Sequence, residues 1–473
     1  MTGPDFLSLT PFLIIAIAPI VIMTVISIVR NYEVVYGFTL FSLILAFASI
    51  FIIIPGIPHS IEPLFIIDIY SLFFLGIIFI SALLVTVVSH DYIKQLGAVK
   101  EEYYIIILIS TLGASLLAIA NDFISFFLGI ETLSISLYIL IAFQKSKDSS
   151  IEAGIKYLVL ASVSSAFLLF GMALLYVAAG TMQFHNLASA IGNNAQLSPL
   201  LVSGFGMMMV GIGFKLALVP FHMWTPDVYQ GAPAPVTAYI ATVSKGAVMA
   251  VLIRFFFNIK GFDNKYIFIV ISAIAILTMF IGNLLALKQK NLKRLLAYSS
   301  IANMGYIIII LLTGSDKGIQ AAIFYLIAYF ITTIGAFGVI SLVSTGKQEF
   351  EMIEDYKGLF WKRPWIAIVF TLAMLSLAGI PVTAGFIGKF YVIFEGIKAG
   401  LMVLVISMII NSVIGLYYYL RVINTFFSPA DDTKLPEISL RGNITLALIM
   451  ICILILGVYP GWLIDIIAKF VVL

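Results

Sequence analysis

Charge is scarce in this chain: of 473 residues only 10% are Asp, Glu, Lys or Arg, while 62% are hydrophobic. Soluble globular domains carry about 25% charged residues, so the solvent for most of this sequence is lipid. Cysteine is nearly absent. Cys452 stands alone inside an apolar run, which excludes a disulfide framework, a thiolate metal site or a cysteine-ligated iron–sulfur cluster built from this chain. Histidine is scarce too, and His59, His90, His185 and His222 lack the paired spacing of a haem or zinc site. Any redox cofactor is therefore expected in a partner. The amino terminus has no basic region before its first apolar run and no small-residue cleavage signal, so no removed signal peptide is expected. The net charge of +3 comes from 26 basic and 23 acidic residues clustered between apolar runs, which suits loops at a membrane surface rather than nucleic-acid binding.

What the sequence has instead is long apolar runs. A hydrocarbon core about 30 Å thick needs roughly 20 apolar residues in a helix. The sequence predicts an all-α polytopic membrane protein of about fourteen spans, near residues 8–29, 34–54, 63–89, 103–120, 122–143, 155–179, 198–224, 236–257, 266–287, 294–313, 318–344, 364–394, 400–426 and 442–463. An even number puts both termini on one side. Loops after odd-numbered segments hold fifteen basic residues, among them Lys147, Lys293, Lys347 and Lys434. The opposite loops hold six: Arg254, Lys260, Lys265, Lys317, Lys398 and Lys469. The positive-inside rule then predicts both termini outside and the richer loops in the cytoplasm.

Five basic residues remain inside segments. Lys156 and Arg421 lie near the basic-rich ends of segments 6 and 13, where snorkelling into headgroups is the simplest expectation. Lys215, Lys245 and Lys389 are more costly. Lys245 is within about two residues of the middle of segment 8, and Lys215 within about four of the middle of segment 7, or about 6 Å at the helical rise. Glu131 is central in segment 5, and a charge there costs about 2.5–3.5 kcal/mol on insertion scales. Asp68, towards the outer end of segment 3, is as readily explained by wetting as by function.

Segments 7 and 12 are longer than one crossing and interrupted by Pro220 and Pro381, with Gly379, Gly385 and Gly388 added in segment 12. Backbone carbonyls freed by such breaks cannot face lipid and must line protein or a wet cavity. Each broken segment is fourth in a set of five, and a five-helix unit reverses direction, so segments 4–8 and 9–13 are expected to be inverted repeats with a transport site near the midplane. The implied division is residues 1–102, 103–257, 258–426 and 427–473. Burial and pairing move the proton affinity of a carboxyl and an amine in opposite senses, so Glu131 with several lysines makes a set whose protonation changes when a partner moves. The competing reading is a static Glu131–Lys215 pair, a poor stabiliser compared with apolar packing. Asn283, Asn303, Asn411 and Ser299 are expected to make interhelical hydrogen bonds. His222 either passes protons between Lys215 and the following loop or Lys245, or bonds freed backbone, and the stretch TPDVYQGAPAPV reads as the return loop into segment 8.

The stretches FKLALVPFHMWTPDVYQGAPAPVTAYIATVSK, GNLLALKQKNLKRLLAYSSIANMGY and AGIPVTAGFIGKFYV together resemble the antiporter-like membrane subunits of bacterial respiratory complex I, and WTPDVYQGAP resembles the N subunit in particular. The resemblance implies a proton-translocating subunit in the bacterial inner membrane. It implies flavin, iron–sulfur clusters and quinone in partner subunits, with antiporter-like siblings, small membrane subunits and a peripheral redox arm as partners. It suggests Glu131 and Lys215 as a coupled pair, Lys245 as a central relay and Lys389 as the terminal site. Many relatives carry histidine where this chain has Asn303, which puts a titrating role there in doubt. A subunit of a multisubunit cation/proton antiporter and a purely structural membrane subunit are the alternatives.

Overall fold

The computed structural model describes residues 2–97, 100–187, 199–259, 265–344, 349–429 and 438–470. Lys260, Lys347 and Lys434, three of the loop cations, and the predicted start of segment 7 at residue 198 lie outside the described residues. The long helices are α1 (Thr10–Ile28), α2 (Tyr32–Ile53), α3 (Ile69–Lys94), α4 (Glu102–Ile119), α5 (Phe123–Ile141) and α6 (Asp148–Ala179). The first broken helix follows as α7a (Pro199–Leu216) and α7b (Trp224–Gly231), then α8 (Ala234–Asn258). The second set is α9 (Lys265–Leu287), α10 (Leu292–Leu311), α11 (Asp316–Val343), α12a (Pro364–Ala378), α12b (Ala384–Lys398) and α13 (Met402–Phe427). The chain continues through α14 (Leu440–Val458) and a short α15 (Gly461–Phe470).

Among the described residues thirteen helices are long and apolar enough to cross a bilayer. The fourteenth segment fails on length only because its break divides it: α12a has 15 residues, about 22 Å of helix, against a core of about 30 Å. Three expectations need correction. Segment 3 starts later than predicted, because residues 59–67 form a small antiparallel hairpin, β1 (His59–Ile61) with β2 (Phe65–Ile67). Asp68 then caps α3, accepting from the Ser71 backbone N–H at 2.7 Å, a pattern its sequence position alone did not reveal. The stretch after Trp224 is not a loop: WTPDVYQG is the helix α7b, with Pro226 in its first turn, where a missing N–H costs nothing.

Two sets of five, α4–α8 and α9–α13, are each broken in their fourth member. Both breaks hold a non-glycine residue in the left-handed region, Ala217 at φ 60° and Val382 at φ 73°. Side chains rarely accept that conformation, so surrounding packing must enforce it. Close helix approach is bought by small residues: a Cβ on Gly171 of α6 would lie 2.5 Å from the Met208 backbone nitrogen of α7a. The interior of the bundle is formed by α8, α10 and α11, whose apolar windows are 100%, 94% and 89% buried, whereas α1 is only 28% buried. Helices walled in by protein can carry groups that a lipid-facing helix cannot, and these three hold Lys245, Lys293 and Ser300.

Candidate functional site

Lys245 follows a π-helical turn, Ile240–Ser244, in the middle of α8. Such turns widen the helix by one residue and are common at functional positions. The amine has no solvent exposure and donates to Ser300 Oγ of α10 at 2.6 Å, above the Tyr229 ring of α7b at 5.9 Å. Tyr329 of α11 donates to the same Ser300 oxygen at 2.7 Å, and the Tyr229 hydroxyl lies 3.3 Å from it. Four helices thus converge on one serine. Single apolar runs carry no signal for that serine, since its importance arises from residues 29 to 71 positions away.

Lys215 occupies the last turn of α7a, at the break rather than in mid-helix. Its Nζ donates to Ser134 Oγ of α5 at 2.6 Å and reaches the Tyr157 hydroxyl of α6 at 3.4 Å. Glu131, one turn before Ser134, is only partly buried and accepts from Ser165 Oγ of α6. The direct Glu131–Lys215 contact of the competing static-pair reading is not made among the described residues: the hydrogen-bond partners of both groups are hydroxyls. The geometry therefore gives no static ion pair.

Lys389 lies on α12b and bridges the second break. Its Nζ donates to the Leu377 and Ala378 carbonyls at 2.9 Å each and to Ser412 Oγ at 3.2 Å, over the Tyr306 ring at 5.3 Å. An amine at the end of α12a satisfies carbonyls that the break leaves without helical partners. Gly379 makes this possible, with φ 83° and a position where a Cβ would lie 2.8 Å from Lys389 Cδ. At the first break the freed backbone is held differently: Val219 N–H donates to Thr278 Oγ1 at 3.0 Å and Trp224 Nε1 donates to the Phe214 carbonyl at 2.9 Å. His222 in that break is buried, and among the described residues neither ring nitrogen has a hydrogen-bond partner, so no bond joins it to Lys215 or Lys245.

Between Lys245 and Lys389 runs a band of buried hydroxyls and amides. Ser299, next to Ser300, bonds the Tyr419 hydroxyl, and the Tyr418 hydroxyl donates to Asn283 Oδ1 at 3.0 Å. Asn283 Nδ2 donates to the Tyr306 hydroxyl at 3.1 Å and to Asn411 Oδ1 at 3.2 Å. Asn303 accepts from Tyr325 at 2.6 Å. The interhelical bonding expected of these asparagines is present, and the tyrosines complete it.

Other basic residues lie differently from their expected places. Arg254 is buried in the last turns of α8 and pairs with Asp68 at 2.8 Å, rather than lying in a loop. Arg421 donates to the Leu287 and Gln289 carbonyls at 2.9 and 2.6 Å, closing the end of α9 instead of snorkelling, while Lys156 pairs with Glu152 and with Asp227 of α7b. Lys293, assigned by sequence to a loop, is fully buried in the first turn of α10. Its Nζ donates to the Ala232 carbonyl at 2.6 Å and to both oxygens of Glu349 at 3.2 Å. Lys147 pairs with Glu349 at 2.7 Å and with Glu351, and Tyr92 donates to Glu349 at 2.9 Å. Burial opposes the charge on Glu349, but Lys293 and Lys147 outweigh it and hold the carboxyl below its ordinary range.

The family model for the transmembrane part of NADH:quinone oxidoreductase and Mrp antiporter subunits matches residues 120–415. A chain of respiratory complex I from Thermus thermophilus is 32% identical, with 96% of this chain and 98% of that one covered and a TM-score of 0.84. A chain of the membrane-bound sulfane sulfur reductase, an archaeal respiratory membrane complex, is 25% identical over 99% of this chain and 97% of that one, with a TM-score of 0.85. A chain of the Mrp complex from Dietzia sp. DQ12-45-1b is 20% identical over 100% and 97%, with a TM-score of 0.88, and shares the fold. The chain belongs to the NADH:quinone oxidoreductase/Mrp antiporter family of membrane subunits.

Proposed function

We propose that this chain is the proton-translocating membrane subunit of a complex I-type NADH:quinone oxidoreductase. The observation that carries the reading is that Lys215, Lys245 and Lys389 are all buried and all bonded to hydroxyls or carbonyls. Neutral acceptors leave each amine free to lose its proton without stranding a counter-charge, which a tight carboxylate pair would penalise. Glu131, at the partly exposed flank of α5, receives the electrostatic input, Lys215 responds across Ser134, and the proton passes through Lys245 and the hydroxyl band to Lys389. Each charge moved against 100 mV requires about 2.3 kcal/mol, and one pKa unit is about 1.36 kcal/mol, so modest swings suffice. His222, buried in the first break, keeps a supporting place in this reading.

Flavin, iron–sulfur clusters and quinone belong to partner subunits in this reading, and no redox centre is built from this chain. The partners are antiporter-like siblings, small membrane subunits and a redox arm in a bacterial inner membrane, with the basic-rich loops in the cytoplasm and both termini opposite. The first three helices, the two five-helix units and the C-terminal helix divide the chain at residues 102, 257 and 426. The test is Lys215→Ala in the assembled complex, in sealed vesicles: redox-driven pumping falls while assembly persists. Pumping at the normal rate contradicts the relay. The family name also covers antiporter subunits, and sodium-dependent transport without an electron donor would favour that assignment.

A further inference from the structure

On the side of the basic-rich loops, two lysines and two glutamates gather where the heads of α8 and α10 meet the linker between α11 and α12a. Exposure falls inward through the cluster: the side chains of Lys147 and Glu351 are 29% and 18% exposed, those of Glu349 and Lys293 are 4% and 0%. The cluster grips the relay directly. Lys293 donates to the Ala232 carbonyl just ahead of α8, and Glu349 accepts from the Ala234 N–H that begins it at 3.2 Å. Lys293 and Ser300 are seven residues apart on α10, so they share a face, about 20° off register and about 10 Å apart along the axis. Ala297, a turn from each, is the small residue between them, and Tyr229, three residues before Ala232, reaches Ser300.

We propose that Lys293 is the loading amine of the proton path, fed from the basic-rich side through Lys147 and Glu349 and discharging towards Ser300 and Lys245. The inference rests on the relay of the preceding section. With both amines protonated and both carboxyls ionised the cluster is neutral. Lys293 gives one N–H proton to water on the Ser300 side, leaving a neutral amine and a cluster of charge −1. Lys147 then gives one N–H proton to Glu349, whose new O–H bond breaks as Lys293 Nζ takes that proton, and Lys147 takes a replacement from the aqueous side, so both amines are ammonium again and the charge returns to zero. Glu349 holds the proton only in passing, because the neutral Lys293 amine beside it is the stronger base and, once protonated, favours the ionised carboxyl. Tyr92, Tyr356 and Asn291 complete the polar surroundings of the two carboxyls without adding net charge.

The alternative is a clamp that only ties four elements together. Lys293→Arg separates the two, because a guanidinium keeps the charge and the ion pair but does not deprotonate. The double variant Lys293→Met with Glu349→Gln is the second probe, since it removes both charges and leaves Lys147 and Glu351 balanced. Both are placed in the assembled complex in vesicles, with Lys245→Ala as reference, and pumping is normalised to assembled complex. Loading predicts that each assembled variant falls to the level of Lys245→Ala, at least tenfold below wild type. Wild-type pumping in either variant, with Lys245→Ala impaired, overturns the inference and leaves the relay standing. Wild-type pumping by Lys245→Ala overturns the relay itself, and the loading role with it.

Discussion

Lys389 reaches back across the break in α12 so that its Nζ lies 2.9 Å from the carbonyl oxygen of Ala378, the last residue of α12a. The amine both terminates a half-helix and sits on the path assigned to protons. These duties separate by substitution. Lys389→Met strands the carbonyls of Leu377 and Ala378, and a buried unsatisfied group costs about 1–3 kcal/mol, so melting temperature and pumping fall together. Lys389→Arg retains donors and charge, so it melts near wild type but does not pump. Pumping by the arginine variant at the normal rate would remove Lys389 from the path.

Ser300 is the point where α7b, α8, α10 and α11 meet, and Ser300→Ala removes the acceptor from Lys245 and the partner of Tyr329. Hydrogen bonds to charged groups contribute about 1.5–3 kcal/mol, which converts to a loss of about tenfold or more in proton flux. Ser300→Thr keeps the oxygen and restores most of it. Flux is read from the quenching of a pH-sensitive dye in vesicles, and equal rates in the alanine variant and wild type would show Ser300 to be a spectator.

Gly379→Ala forces a Cβ into the left-handed region and against Lys389 Cδ at 2.8 Å. Backbone strain alone costs about 1–2 kcal/mol. Gly314→Ala is the control, because Gly314 has φ 59° with open space around it. Both variants lose stability by thermal melting, but only Gly379→Ala loses pumping. Equal pumping in the two would dissociate the second break from transport.

Glu349 gives the acid side of the stability profile its shape. Its carboxyl is held below the ordinary range in the folded chain by Lys293 and Lys147 against the opposing effect of burial. A depressed folded-state pKa stabilises above the unfolded value of about 4.3 and loses that contribution as pH falls through and below it towards the folded value. Melting of the purified complex between pH 7 and pH 3 therefore steepens on the acid side, and Glu349→Gln flattens that part of the curve while lowering the pH 7 plateau. An unaltered acid limb in the variant would show that other carboxyls set it.

Fourteen segments, two breaks and four costly charges were legible in the sequence because apolar length, proline position and isolated charge are local signals. Helix α7b was misread because TPDVYQGAPAPV is rich in turn residues, yet Pro226 falls in a first turn where proline is tolerated. Lys293 and Arg254 were misread as loop cations for one reason: helix ends were drawn by hydrophobicity, and burial there is decided by Glu349 and Asp68, 56 and 186 residues away. The same distance in sequence hid Ser300. Glu131 and Lys215 stood out on segments 5 and 7 by their charge, but Ser134 and Ser165, which take up their hydrogen bonds, carry no charge to draw notice.

The account stands on buried amines that exchange protons during turnover, and Lys245 is the most enclosed of the transport lysines. Nitrogen-15 solid-state NMR of the assembled complex with labelled lysine, assigned by subtracting a Lys245→Arg sample, reports directly whether that Nζ is ammonium or neutral amine. Conversion between the two forms when electron donor and acceptor are supplied is the predicted result; a Lys245 signal that stays ammonium at rest and throughout turnover would contradict it.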